Sequence, residues 1–235
     1  MSDQPATVAP ASRPVPVEQA LGPLNEFEKK HAPQALYLLG DVTLLEHRLP
    51  RVSIVGSRKA SREGLARAAK LARALVGEEI VVVSGLADGI DTAAHRAAME
   101  AAGRTIAVIG TSLDQSYPRS NAALQTEIAR NHLVVSQFPS GYPTTKANFP
   151  LRNRTMALIV DASVIVEAGD SSGTLSQGWE ALRLGRSLFI MRSVLENPKL
   201  TWPAEMMAYG AQVLEDAQQV IEAVPTAGDL ASSVL

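Results

Sequence analysis

"RVSIVGSRKASREGLARAAKLARALVGEEIVVVSG" spans residues 51–85 and contains two strand patterns separated by a helix pattern. "RVSIVG" (51–56) is a β-branched apolar run that stops at a glycine. "SREGLARAAKLARALVG" (61–77) repeats its apolar residues at helical spacing, with Ser61 as a candidate cap and a terminal Gly77. "IVVVSG" (80–85) is apolar again. Neither strand alternates apolar with polar residues, and strands that do not alternate are buried on both faces. The segment therefore predicts two parallel strands joined by a crossover helix.

The same alternation continues toward the C-terminus. Helices are expected at 89–103, 119–130, 152–160 and 173–185, and strands at 105–110, 133–136, 163–168, 187–191 and 211–214. This order predicts one α/β domain, an extended Rossmann-like, doubly wound and mainly parallel sheet, over residues 51–223. Residues 1–18, rich in Pro, Ala and Ser, are expected to be a disordered tail, and 224–235 a flexible one. Between tail and core, 19–50 reads as a short lead-in with an extended "QALYLLGD" and a helix-like "TLLEHRLP".

Composition narrows the function classes. Hydrophobic residues make up 46% of the 235 and aromatics only 4%, so Ala, Val, Leu and Ile must fill the core. Cysteine is absent, which excludes a disulfide scaffold and any thiol site. The N-terminus shows no apolar signal-peptide region, and no apolar run reaches the roughly 20 residues of a membrane span. A soluble, cytoplasmic protein without membrane contact is expected. A net charge of −2 argues against a broad nucleic-acid-coating surface, so any anion site must be local.

In such folds ligands bind beyond the carboxyl ends of the strands. Four of those ends carry Gly with Ser or Thr: Gly56-Ser57-Arg58-Lys59, Ser84-Gly85, Gly110-Thr111, and Gly169 onward to Ser172-Gly173-Thr174. Glycine admits a close ligand and a helix N-terminus favours an anion, so the four together predict an anion pocket. A Walker A loop is excluded because no Gly-Lys pair occurs, and "GSRKASREG" replaces the dinucleotide fingerprint. "GDSSG" (169–173) matches a nucleophile elbow around Ser171, but His31, His47, His95 and His132 all precede it, the wrong order for that hydrolase fold. Asp91 and His95 share a helix face, yet no third ligand supports a metal. They are expected to be structural, with Asp91 capping the helix or pairing with His95 to hold the preceding loop. No metal, cofactor or catalytic residue is expected.

"KANFPLRNR" (146–154) concentrates Lys146, Arg152 and Arg154 around Phe149 without an acid. Pro150 is expected to hold 146–149 extended, outside any helix interior. A ring beside cations suits single-stranded nucleic acid, where a base stacks while cations meet phosphates. A nucleotide ligand and a purely structural loop are the other readings of these residues.

Several long motifs then stand in a telling order. "VSIVGSRKAS", "VVVSGLADGIDTAAHRAAMEAAGRTIAVIGTSLDQSYPRSN", "FPLRNR" and "VIVEAGDSSGTL" resemble the DprA/Smf family of DNA-processing proteins, from about Leu36 to about Val213. The resemblance implies an extended Rossmann fold, single-stranded DNA binding, a homodimer, handing of DNA to a RecA-type recombinase in natural transformation or recombination, and no catalysis. It implies a DNA pocket of Gly56, Ser57, Arg58, Lys59, Lys146, Phe149, Arg152 and Asn153. Gln137 stands in "SQFP" where the family usually has an acid, and neither the N-terminal helical domain nor the C-terminal winged helix of many members is expected here. The related LOG nucleotide hydrolases supply an enzyme alternative, with Glu180 or Glu167 as its acid, and a non-catalytic nucleotide sensor is a third reading.

Overall fold

A computed structural model describes residues 13–46, 49–170 and 172–225. In chain order the elements are β1 (Val15–Pro16), α1 (Val17–Leu21), α2 (Glu26–Lys29), β2 (Ala35–Gly40), β3 (Arg51–Gly56), α3 (Arg62–Gly77), β4 (Val81–Ser84) and α4 (Ile90–Glu100). They continue with β5 (Thr105–Ile109), α5 (Ala122–Asn131), β6 (Leu133–Ser136), α6 (Asn148–Ile159), β7 (Ala162–Glu167) and α7 (Thr174–Arg183). The last are β8 (Ser187–Met191), α8 (Arg192–Leu195), α9 (Trp202–Ala208), β9 (Gln212–Leu214) and α10 (Ala217–Ala223).

Among the described residues the strands form one nine-stranded sheet, ordered β1-β2-β6-β5-β4-β3-β7-β8-β9. From β6 to β9 every pairing is parallel, whereas β1 and β2 run antiparallel along one edge. The fold class is as expected. Apolar residues explain the sheet: β3, β4, β5 and β6 are buried along their whole length, with helices on both faces. The lead-in joins this sheet, since Tyr37 to Gly40 pair with Ser136 to Leu133. In the described part of "TLLEHRLP" the helix-like expectation is met by a short 3-10 turn, Val42–Leu45. The expected N-terminal tail is ordered in its described part, because Val15 and Pro16 pair with Leu36 and Ala35 and α1 begins at Val17, while residues 1–12 and 226–235 lie outside the described residues.

The chain winds outward from β3 to β6, then returns to β7 on the other side of β3. The switch point of this doubly wound sheet is therefore between β3 and β7, where such folds open a crevice. Their register shifts between Val55 and Gly56, at the mouth of that crevice.

The expectation for 146–149 also fails. The helix expected at 152–160 starts at Asn148, so Phe149 is in its first turn and 146–149 is not an extended arm. Pro150 is the third residue of the helix, where no intrahelical N–H donor is needed, so it is compatible with this first turn. The Asn148 side chain donates to Gly110 O at 3.2 Å and Pro143 O at 3.1 Å, and accepts from Thr145 Oγ1 at 2.8 Å. Those bonds fasten the first turn to the end of β5.

Candidate nucleic-acid interface

A cavity of about 540 Å³ opens at the switch point. Its walls are the turn after β3 (Gly56 to Lys59), the start of α6 (Phe149, Arg152, Asn153) and the loop before α7 (Gly169, Ser172, Gly173, Thr174). Each wall is fixed locally. The Glu167 carboxylate accepts from Ser61 N at 2.9 Å and Ser61 Oγ at 2.5 Å, while Ser61 Oγ accepts from Gly64 N and caps α3. The turn tip is thereby set, with Arg58 and Lys59 exposed. Asn153 Nδ2 donates to Gly173 O at 3.1 Å and Ser176 Oγ at 2.5 Å, which ties the third wall to α6. Thr174 Oγ1 donates to Gly56 O at 3.0 Å and joins the third wall to the first. The ten-residue α7 begins at this wall and directs the positive end of its dipole there.

Phe149 is half-buried on the wall of the cavity. The Arg58 guanidinium lies 5.4 Å from its ring centroid and that of Arg152 6.0 Å, both cation–π distances. These two cations behave differently. Arg58 is exposed. Arg152 is buried, and its Nη1 donates to Val108 O at 2.7 Å and to Gly85 O, while Nε donates to Asn153 Oδ1 at 2.9 Å. Burial pulls the Arg152 pKa below the ordinary guanidinium value, and the buried Asp91 carboxylate opposes the shift. Burial raises the Asp91 pKa, against the charge of Arg152 and N–H bonds from Ala87 and Gly85.

Asp91 thus holds the loop before α4, as expected, by accepting from Gly85 N at 3.1 Å and Ala87 N at 3.3 Å. It neither caps the helix, whose cap position is Gly89, nor pairs with His95. His95 Nδ1 instead shares a bond with Thr105 Oγ1 at 2.7 Å. Among the described residues no group of three or more His, Cys, Asp or Glu could hold a metal.

The sequence-derived residues divide on the structure. Gly56, Ser57, Arg58, Lys59, Phe149, Arg152, Asn153, Ser172, Gly173 and Thr174 line the main cavity together. Lys146 is exposed and lines neither this cavity nor the smaller one described below. Ser84 is buried and donates to Ile54 O at 2.6 Å, and Thr111 is buried and donates to Gln115 O at 3.1 Å. Gly85 and Gly110 give room to the protein's own side chains. A Cβ on Gly85 would strike the Arg152 guanidinium, and one on Gly110 would approach Phe149 Cδ1 to 2.8 Å. Arg154 turns away to Glu180, at 2.8 Å, which also binds Arg183 at 2.6 Å. Glu167 and Glu180 are therefore engaged elsewhere and line neither cavity. Ser171 and His47 lie outside the described residues. The Gln137 side-chain oxygen accepts from the Thr155 hydroxyl, a contact to α6.

A family model, DNA recombination-mediator protein A, matches residues 18–225. The chain belongs to this family. Among curated relatives, DNA processing protein DprA of Streptococcus pneumoniae is 38% identical over 199 residues, covering 85% of this chain and 70% of that protein. Protein Smf of Escherichia coli is 31% identical over 209 residues, which is 88% of this chain and 55% of that protein. Among solved structures, the S. pneumoniae DprA matches with a TM-score of 0.78 at 33% identity, over 90% of this chain and 74% of that one. DNA processing protein A from Helicobacter pylori, described for its single-stranded DNA binding mode, matches with a TM-score of 0.75 at 29% identity, over 91% of this chain and 94% of that one. A molybdenum cofactor binding protein from Rippkaea orientalis, at 19% identity with a TM-score of 0.56 over 75% of this chain and 96% of that one, shares the fold alone.

Residues that sequence reasoning missed are Asn148, Ser176, Gln177 and Tyr117. Asn148 gave no signal, because its side chain reaches Gly110 O, 38 residues away, instead of capping its own helix. Tyr117 gave none, because thirty-one residues separate it from the ring it touches in Phe149.

Proposed function

We propose that this protein binds single-stranded DNA at the switch-point cavity and does no chemistry on it. The observation that carries the reading is the half-buried Phe149 ring, placed beside an exposed guanidinium and next to a helix N-terminus. Unpaired bases reach such a ring and duplex bases do not, while Arg58 and Lys59 meet phosphates. Membership of the recombination-mediator family and the match to the H. pylori protein support it. Gly56, Ser57, Ser172, Gly173 and Thr174 form the backbone side of the pocket in this reading, and Asn153 holds that side in place. Arg152 supports the ring.

The role that follows is protection of single strands, or their transfer to a RecA-type recombinase in transformation or recombination, by a homodimer in the cytoplasm. Those finer elements rest on family membership, and no helix among the described residues is long and apolar enough to cross a membrane. Fluorescence anisotropy with labelled single-stranded and duplex oligonucleotides across a salt series tests the central step. Single strands should bind much more tightly than duplex. Equal affinity would transfer the site to a small nucleotide ligand. Light scattering that gives a monomer mass near 25.0 kDa at micromolar concentration would remove the dimer.

A further inference from the structure

A second cleft, of about 40 Å³, adjoins the main cavity. Arg58, Ala87, Phe149 and Arg152 line both, so these four form a shared wall. The far side of the cleft is Tyr117, Pro118 and Asp88. Tyr117 is 47% exposed, and its ring centroid is 5.3 Å from that of Phe149 with the planes inclined by 49°. The rings are too close to admit a base between them. They form a corner, and each presents surface to a different neighbour.

The charges on the two sides of the wall differ. The main cavity has exposed Arg58 and Lys59 and the start of α7, and the carboxylate that lines it, Asp91, is buried and bonded to Gly85 N and Ala87 N. The cleft shares Arg58 but adds the exposed Asp88 carboxylate, whose Oδ1 accepts from Ser120 Oγ at 2.9 Å. A carboxylate repels a phosphate at close range and accepts hydrogen bonds from base N–H groups. The cleft is therefore suited to bases and poorly suited to the backbone.

We infer that Tyr117 is a second base-stacking ring, so that the interface takes two consecutive bases, one on Phe149 and one on Tyr117, while their phosphates pass along the Arg58 side. This rests on the single-strand reading given above. The cleft is too small to enclose a base, so the base lies across its mouth with its polar edge toward Asp88.

The test compares a labelled oligothymidylate with an abasic phosphodiester strand of equal length. Tyr117→Ala should weaken the base-bearing strand by at least about fivefold, the low end for one lost stack, and leave the abasic strand unchanged. The unchanged abasic affinity also shows that the variant is folded. Tyr117→Phe should bind both strands like the parent protein, because the ring and not the hydroxyl is used. Asp88→Asn should tighten the abasic strand by removing the repulsion. If Tyr117→Ala weakens both strands equally, or neither while Phe149→Ala still weakens the base-bearing one, the two-ring inference is wrong and the single-strand reading survives. If Phe149→Ala also leaves the base-bearing strand unaffected, the single-strand reading itself fails.

Discussion

The turn after β3 and the first turns of α6 each bring an arginine to the Phe149 ring, at 5.4 and 6.0 Å. On the turn, Arg58 is exposed and free to meet a phosphate. On the helix, Arg152 is buried and its donors go to Gly85, Val108 and Asn153. Both belong to the positive charge that marks the interface in the sequence, yet only one is presented to solvent. In this molecule a cation at the Phe149 ring is either presented to solvent or part of the wall, and burial with hydrogen bonding separates the two.

The largest effect should come from breaking the buried side. Arg152→Met leaves two carbonyls without their donor and Asp91 without its nearby buried cation. Denaturant unfolding should show a loss of about 3–5 kcal/mol. Arg152→Lys should recover little of it, because one ammonium cannot reproduce the guanidinium fork. Arg58→Ala should change stability by no more than about 0.5 kcal/mol. Equal losses for the two arginines would end the distinction.

Burial near Arg152 also shapes the pH response. Desolvation first, then the charges of His132 and Arg152, hold the His95 pKa down at about 3, against an ordinary 6.5. Between those values the unfolded chain binds the extra proton. The His95 contribution is thus intact above pH 6.5 and is lost as pH falls toward 3, at up to about 1.4 kcal/mol per pH unit. Denaturant midpoints measured from pH 7 to pH 4 should fall, and His95→Gln should flatten the fall. A pH profile that His95→Gln leaves unchanged would mean that His95 is not held neutral by the fold, since the raised Asp91 pKa acts in the opposite sense in both proteins.

A smaller effect distinguishes the exposed cations. Lys146 lies outside both cavities, so Lys146→Ala should lower the salt dependence of binding less than Arg58→Ala does. The reverse order would move the phosphate path toward the loop before α6.

Short-range pattern explains what the sequence made readable. Short apolar runs without alternation identified β3 to β8, three of them closed by a glycine, because strands buried on both faces carry apolar residues on each. The ligand edge followed from the parallel sheet, and the Gly56 to Lys59 turn, Phe149 and the Ser172 to Thr174 loop do meet there. Distant contacts account for the rest. Gly85 and Gly110 resemble ligand-approach glycines in sequence, but Arg152 and Phe149 occupy the space beside them. Pro150 reads as a helix breaker until the bonds of Asn148 place it in a first turn. Arg152 reads as a phosphate-meeting cation in the sequence because the carbonyl partners that bury it are 67 and 44 residues away.

The most direct test measures single-strand affinity against salt for Phe149→Ala and Arg58→Ala side by side. Phe149→Ala should lose about 1–3 kcal/mol at every salt concentration with its slope unchanged, since a stack carries no counterions. Arg58→Ala should lower the slope of log affinity against log salt by about 0.7, one phosphate contact on a single strand. Two variants that change slope together, or two that change nothing, would contradict the assignment of ring to base and exposed arginine to phosphate.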